Sequence, residues 1–308
     1  MRSRTFAALL ALAPFLVRCG GDDPAPVTPS GGDNDGGTVI TTGTDGGETD
    51  GGPVNPGLPT RSPGCGVAAQ ASPANGDAKS VDVGGKKRTF VLYVPKGYDP
   101  ARAYPIVTVL HGIGATGAQM AQFIQMQLYS GGNAIVAFPD ALNGQWDTRG
   151  DVDLAFYDAL TKSVQDTLCV NQQRAFVLGF SFGACMANHL GCKRSSVIRA
   201  IIPADGGFGD APAACGKVTA LVYHRREDDN EVIANGIAAR DKWLGINGCA
   251  KTSQPVNDFG FQGLGCVAYD ACPAATPVLW CEDTATSPYK HDLREPYRVP
   301  MWNWFAHF

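Results

Sequence analysis

The chain predicts an α/β fold, a mostly parallel sheet with helices on both faces and an antiparallel N-terminal edge. Three observations carry this expectation. From Cys65 onward, short β-branched and aromatic runs alternate with stretches of helical period. Residues 105–110 and 134–138 are continuous apolar runs, as expected of strands buried on both faces. Residues 175–178 lead into Gly179-Phe180-Ser181-Phe182-Gly183, with a helical stretch behind it. Sheets of this kind place their chemistry at the carboxyl ends of the strands.

Each element has its own signal. Residues 81–83 and 88–94 flank Gly84-Gly85 and read as a hairpin, the antiparallel edge. The run 105–110 ends in His111-Gly112-Ile113-Gly114, and the run 134–138 ends in Pro139-Asp140. Residues 151–168 are apolar at 152, 155, 156, 159, 160, 164 and 168, the helical spacing, with an acidic first turn suited to the helix dipole. Strands follow at 175–178, 200–202, 218–223 and 277–280, and helices at 182–190, 232–244 and 301–308. No internal repeat is visible.

Composition divides the chain into three parts. Of 308 residues, 44% are hydrophobic and 18% charged, enough for one sizeable core and too few charges for a disordered chain or a coiled coil. Arg2 and Arg4 precede a short apolar run over residues 6–17 and then Cys19-Gly20, which reads as a secretory signal, residues 1–19, too short to span a membrane. The stretch Leu16-Val17-Arg18-Cys19 resembles a bacterial lipoprotein signal, departing from it at Arg18. The expectation is a lipid anchor at Cys19, the only membrane contact foreseen, with plain secretion as the alternative. Residues 20–64 hold 13 Gly and 7 Pro with seven acids against one base, a Gly/Pro/Asp-rich linker with too little apolar surface to fold. Its Gly-Gly-Asp runs keep no fixed period, so they read as solvated spacer and not as a metal site.

Residues 65–308 then form a nearly neutral catalytic domain, expected to be a monomer. Its charge argues against nucleic acid, which needs clustered Lys and Arg. The 10 Cys suit an oxidising compartment. Cys249, Cys266, Cys272 and Cys281 cluster around the His-bearing loop that follows the last strand, could staple it, and allow three pairings, among which the sequence does not choose; their spacings give no zinc pattern. Cys185 is expected to be the free thiol.

The chemistry centres on Ser181. Glycines on either side of a serine at a strand-to-helix turn let its hydroxyl project, although the five-residue pattern alone is a weak signal. A serine needs a neighbouring base. Of the five His, His189 lies about 12 Å along the same helix, His111 suits a backbone-shaping role, His224 sits in a charged run and His307 in the terminal helix. His291, in the loop after the last strand, remains. That is the place of the base in the α/β-hydrolase chain order of nucleophile, acid, base. The acid belongs just past residues 218–223, where Asp228 is preferred over Asp229, with Asp205 a distant third. Backbone N–H groups of Phe182 and Ile113 are the expected oxyanion donors. Trp146, Asn143 and Phe180 are candidate substrate-lining residues.

These segments resemble the secreted esterases that include the feruloyl and acetylxylan esterases of carbohydrate esterase family one and the polyhydroxybutyrate depolymerases. The resemblance rests on Arg88-Thr-Phe-Val-Leu-Tyr-Val-Pro95, Leu110-His-Gly-Ile-Gly114, Asp151-Val-Asp-Leu-Ala-Phe156, Cys169-Val-Asn and Arg174-Ala-Phe-Val-Leu-Gly-Phe-Ser-Phe-Gly183. It continues through Ala239-Arg-Asp-Lys-Trp243, Asn247-Gly-Cys249 and Pro277-Val-Leu-Trp-Cys281, and so spans nearly all of residues 80–308. It implies an α/β-hydrolase fold, a triad of Ser181, Asp228 and His291, and hydrolysis of esters on polysaccharide without metal or organic cofactor. Its spacing to Arg240-Asp241 favours Asp228. Two places differ from the family pattern: His224 is followed by Arg225 where the family has Gly, and Lys290 stands where a Gly commonly precedes the base. A polyester depolymerase and an idle, surface-tethered binding scaffold are the alternative functions.

Overall fold

The computed structural model describes residues 57–67, 76–209 and 214–308. The proposed signal, Cys19 and most of the linker lie outside the described residues. Ten strands form one sheet: β1 (Asp77–Val83), β2 (Lys86–Tyr93), β3 (Tyr104–Leu110), β4 (Ile135–Pro139), β5 (Val170–Phe180), β6 (Ala200–Ala204), β7 (Thr219–Arg225), β8 (Ser253–Pro255), β9 (Cys266–Tyr269) and β10 (Val278–Asp283). Their spatial order is β1-β2-β4-β3-β5-β6-β7-β10-β9-β8. The run from β4 to β10 is parallel, and β1-β2 and β9-β8 add antiparallel edges at either side. The fold is an α/β-hydrolase fold, as the sequence predicts.

The central strands are buried on both faces, and their side chains divide by the period of two. On β3, Ile106 and Leu110 join one core while Val107 and Val109 join the other; on β5, Val177 faces the first and Phe176 and Leu178 the second. Helices α3 (Val152–Thr167), α4 (Phe182–Lys193) and α5 (Ile233–Asn247) cover the first face with Leu154, Leu160, Met186 and Trp243. Helices α1 (Gly117–Ile124), α2 (Met126–Tyr129) and α6 (Glu295–His307) cover the second with Met120, Met126, Trp304 and Phe305. No helix among the described residues is long and apolar enough to cross a membrane.

The hairpin forms as predicted, with positive φ at Gly84 (55°) and Gly85 (75°), the pair of left-handed residues that a tight turn between twisted strands requires. Four elements, α1, α2, β8 and β9, were not foreseen. Helix α1 starts with a capping box, the Thr116 side chain accepting from Gln119 N while the Gln119 side chain accepts from Thr116 N. Strands β8 and β9 extend the far edge.

Four disulfides join described residues: Cys65–Cys169, Cys192–Cys215, Cys249–Cys272 and Cys266–Cys281. The last links directly paired residues of β9 and β10. No described cysteine is free, so the expectation of a free thiol at Cys185 is corrected: that sulfur is oxidised. The end of the segment read as linker lies against the domain. Ser62 Oγ donates to Leu168 O at 2.7 Å and accepts from Val170 N at 2.9 Å, beside the Cys65–Cys169 bond.

Strand order reverses at β3. The chain leaves β3 for β4 on one side and returns through α3 to β5 on the other, so the carboxyl ends of β3 and β5 form the topological switch point, where open α/β sheets bind ligands.

Candidate active site

Ser181 ends β5 and opens α4, in a backbone conformation rare for a side-chain-bearing residue (φ 57°, ψ −126°). Such a conformation costs on the order of 1–3 kcal/mol and persists only where its surroundings over-determine it. Here Ser181 N donates to Ala204 O at 2.9 Å and Ser181 O accepts from Ala184 N at 2.8 Å. The flanking glycines are steric necessities. A Cβ on Gly179 would lie 2.0 Å from Gly183 O, and one on Gly183 would lie 2.4 Å from Leu110 O. The serine is thus lifted on a turn pressed against β3.

The turn after β3 passes over the serine, close enough that a Cβ on Gly112 would come within 3.2 Å of Ser181 Cβ. His111 shapes this turn. Ala141 N donates to its Nε2 at 3.0 Å, which leaves Nδ1 as the protonated nitrogen, donating to Gly112 O at 2.7 Å. Burial pushes the imidazole below its ordinary pKa, consistent with a neutral ring. Gly114 N donates to Gly144 O at 2.8 Å, bracing the far side. The N–H of Phe182, first residue of α4, has no partner within its helix and lies at the positive end of the dipole.

Asp228 follows β7 and His291 follows β10. His291 Nδ1 donates to Asp228 Oδ2 at 2.7 Å, and the other carboxylate oxygen accepts from Asn230 N and Glu231 N, both at 2.9 Å. The Asp228 side chain is fully buried while the His291 ring keeps 14% of its surface exposed, so the ring faces the cavity and the acid stands behind it. Asp229 points outward to Lys290. Asp205, at the end of β6, is buried; Arg225 N donates to its Oδ1 at 2.7 Å and its Oδ2 has no hydrogen-bond partner. Burial raises its carboxyl well above the usual range, the Arg225 N–H opposing. The ligand atoms of Asp205, Asp228 and His291 lie within 4.8 Å of one another, the one such grouping among the described residues. The Asp228 oxygens there are already taken by hydrogen-bond donors, so the arrangement suits a hydrogen-bonded acid–imidazole pair better than a metal centre.

A cavity of about 620 Å³ opens at this point, lined by Ile113, Met120, Phe123, Phe180, Ser181, Phe182, Asn230, Glu231 and His291 among others. Of the expected site residues, Ser181, His291, Ile113, Phe180 and Phe182 meet there. Trp146 and Asn143 do not. Trp146 is buried beneath the turn, its Nε1 donating to His111 O at 2.8 Å and its ring packed on His111. A large aromatic with one polar edge supports the loop more effectively than it would face solvent. Asn143 occupies a short helical turn (Leu142–Gly144) with φ 54°, away from the lining. Met120 and Phe123 were missed because helix α1 was missed; the Thr116–Gln119 capping pattern was the available signal.

Comparison with known proteins agrees with this architecture. No family model matches the chain. Feruloyl esterase C of Emericella nidulans is 30% identical over 205 residues, covering 62% of this chain and 73% of that one. Feruloyl esterase D of Neurospora crassa is 24% identical over 276 residues, covering 82% and 93%. Among solved structures, an acetyl xylan esterase from Aspergillus awamori superposes with a TM-score of 0.56 at 15% identity, covering 75% of this chain and all of that one. The feruloyl esterase module from Clostridium thermocellum gives 0.54 at 13% identity, covering 79% and 92%. Both structural likenesses speak to the fold. On the sequence relationship and the shared architecture, the chain belongs to the feruloyl and acetylxylan esterase family, carbohydrate esterase family one, and is a carboxylic ester hydrolase.

Proposed function

We propose that the chain is an exported serine esterase that removes feruloyl or acetyl groups from plant polysaccharide through an acyl-enzyme on Ser181. The observation that carries this reading is the 2.7 Å hydrogen bond from His291 Nδ1 to Asp228 Oδ2, with Ser181 and His291 opening onto one cavity. With Nδ1 engaged, Nε2 is the ring nitrogen left to take the Ser181 proton, and Asp228 stabilises the imidazolium that results. The serine oxygen attacks the ester carbonyl while the N–H groups of Phe182 and Ile113 receive the developing oxyanion. His291 then returns the proton to the departing alcohol. Water repeats the sequence on the acyl-enzyme, giving up its proton to His291 and releasing the acid and free Ser181. These steps draw on side chains, backbone and water alone.

The feruloyl preference is supported by the names of the relatives and by the cavity wall of Ile113, Met120, Phe123 and Phe180, which suits a flat aromatic acyl group. Export is supported by four disulfides, which persist in oxidising compartments. Eight cysteines are paired and Cys185 is oxidised, which leaves Cys19 as the remaining cysteine of the chain. Lipidation at Cys19 is therefore the alternative to a bond with Cys185, and the acyl mass of the mature N-terminus decides between them. The deciding experiment compares wild type and Ser181→Ala on p-nitrophenyl acetate, methyl ferulate, acetylated xylan and short-chain polyhydroxybutyrate. Hydrolysis of methyl ferulate by wild type and its loss in the variant is the expected result. Full activity of Ser181→Ala would sink the mechanism, and preference for the polyester would sink the substrate class.

A further inference from the structure

The loop between β10 and α6 must hold His291 within hydrogen-bond reach of Asp228, yet it has no regular secondary structure over residues 284–294. Its first fixed point is local, Ala285 N donating to Asp283 Oδ1 at 3.1 Å. Tyr289 N donates to Ser287 Oγ at 3.2 Å, Arg298 of α6 holds Leu293 O, and the neighbouring strand β7 supplies further anchors. Arg225, the last residue of β7, is fully buried, and its guanidinium reaches two carbonyls of this loop. Nη2 donates to Ala285 O at 2.9 Å, and Nη1 donates to Tyr289 O, two residues before His291.

A guanidinium in this place is costly. Arg225 Nε has no hydrogen-bond partner, and the carboxylate nearest to it, Asp283 Oδ2, is 4.0 Å away and already accepts from Tyr223 Oη and Arg294 Nε. Burying a cation against carbonyls and a shared carboxylate has a desolvation penalty that an apolar side chain of similar volume would avoid. What an apolar side chain lacks is the planar fork, whose two donors engage two acceptors in fixed geometry. The main chain of the same residue serves the acid: Arg225 O accepts from Asp228 N at 3.3 Å, and Arg225 N is held by Asp205. One residue therefore touches the turn that carries Asp228 with its backbone and the loop that carries His291 with its side chain.

We infer that Arg225 is a positioning residue, a clamp that sets His291 against Asp228 by holding the carbonyls of Ala285 and Tyr289. The inference rests on the proposed roles of Ser181, Asp228 and His291, and the test separates the two. In the full-length protein, Ser181→Ala and His291→Ala must abolish p-nitrophenyl acetate hydrolysis; if they do not, the mechanism fails first. Arg225→Lys keeps the charge and loses the fork, and Arg225→Met loses both. Both variants are expected to lose about tenfold to a hundredfold in kcat, the scale of a small misplacement of a reacting group, with KM within about twofold. The downfield proton resonance of His291 Nδ1 is expected to broaden, and amides of residues 285–291 to exchange faster than those of the central strands. If Arg225→Met does not fold, Arg225→Lys alone decides. A folded Arg225→Lys protein with kcat within twofold of wild type, or one that loses activity with the His291 resonance unchanged, overturns the inference.

Discussion

Lys290 Nζ lies 3.5 Å from Asp229 Oδ2, one residue displaced on both chain segments from the His291–Asp228 pair. The two pairs run side by side, but Lys290 and Asp229 are half or more exposed, whereas the Asp228 side chain is shut away from solvent. Exposed pairs contribute about 0–1 kcal/mol. Asp228→Asn is therefore expected to lower kcat by about 10³- to 10⁴-fold, by analogy with other triads that lose their acid, while Asp229→Asn stays close to wild type. Steady-state kinetics on p-nitrophenyl acetate checks both, and equal losses would undo the assignment of the acid.

Asp205 should make stability depend on pH. Its folded carboxyl is raised well above the ordinary value, with burial as the main cause. Between the unfolded pKa, about 4, and the raised folded one, the native state holds a proton that the unfolded chain has lost, so this group's contribution to stability falls as pH rises. Asp205→Asn removes that dependence. The difference in Tm, variant minus wild type, is expected to become more positive from pH 4 to pH 7; thermal melts showing a flat difference would contradict it.

Gly183 tests the close approach of α4 to β3. A methyl group there would sit 2.4 Å from Leu110 O and 2.7 Å from His111 O, both main-chain atoms at the end of β3. Gly183→Ala is expected to destabilise by about 1–3 kcal/mol, the range for an over-filled interior, and to reduce kcat because the serine turn must shift. Urea midpoints and acyl-enzyme burst amplitudes measure the two effects.

The Arg88–Asp153 pair joins β2 to α3, Nη2 to Oδ1 at 2.6 Å with both side chains 2% exposed. Asp153 also accepts from Asp147 N, so it organises the segment leading into the helix. Removing one partner leaves an uncompensated buried charge. Arg88→Met is expected to cost about 3–5 kcal/mol, and Arg88→Met with Asp153→Leu to cost less than the sum of the single changes. Denaturant titrations of the four proteins close that cycle.

The central strands and the serine turn were legible because their signals are local: continuous apolar runs, a Gly-Gly hairpin, a serine between two glycines. The His291 loop was found by elimination among five histidines. Helix α1 carries only eight residues, and its capping box passed unread, so Met120 and Phe123 were invisible as cavity walls. Trp146 shows a different limit. An aromatic residue among glycines reads equally as a pocket wall or as a support, and only the placement of His111 above it decides. Arg225 stood out as a departure from the family pattern, but its two carbonyl partners lie 60 and 64 residues further along the chain, beyond any local signal.

The Cys65–Cys169 bond has a directional consequence. It fastens the entering chain beside Val170, at the start of β5, while Ser181 follows the other end of that strand. Any pull exerted through the residues ahead of Gly57 is delivered at the pole opposite the cavity and carried by a covalent link instead of the sheet's hydrogen bonds. Under the proposed anchoring, the enzyme would be held by its base with the cavity at the far end of β5.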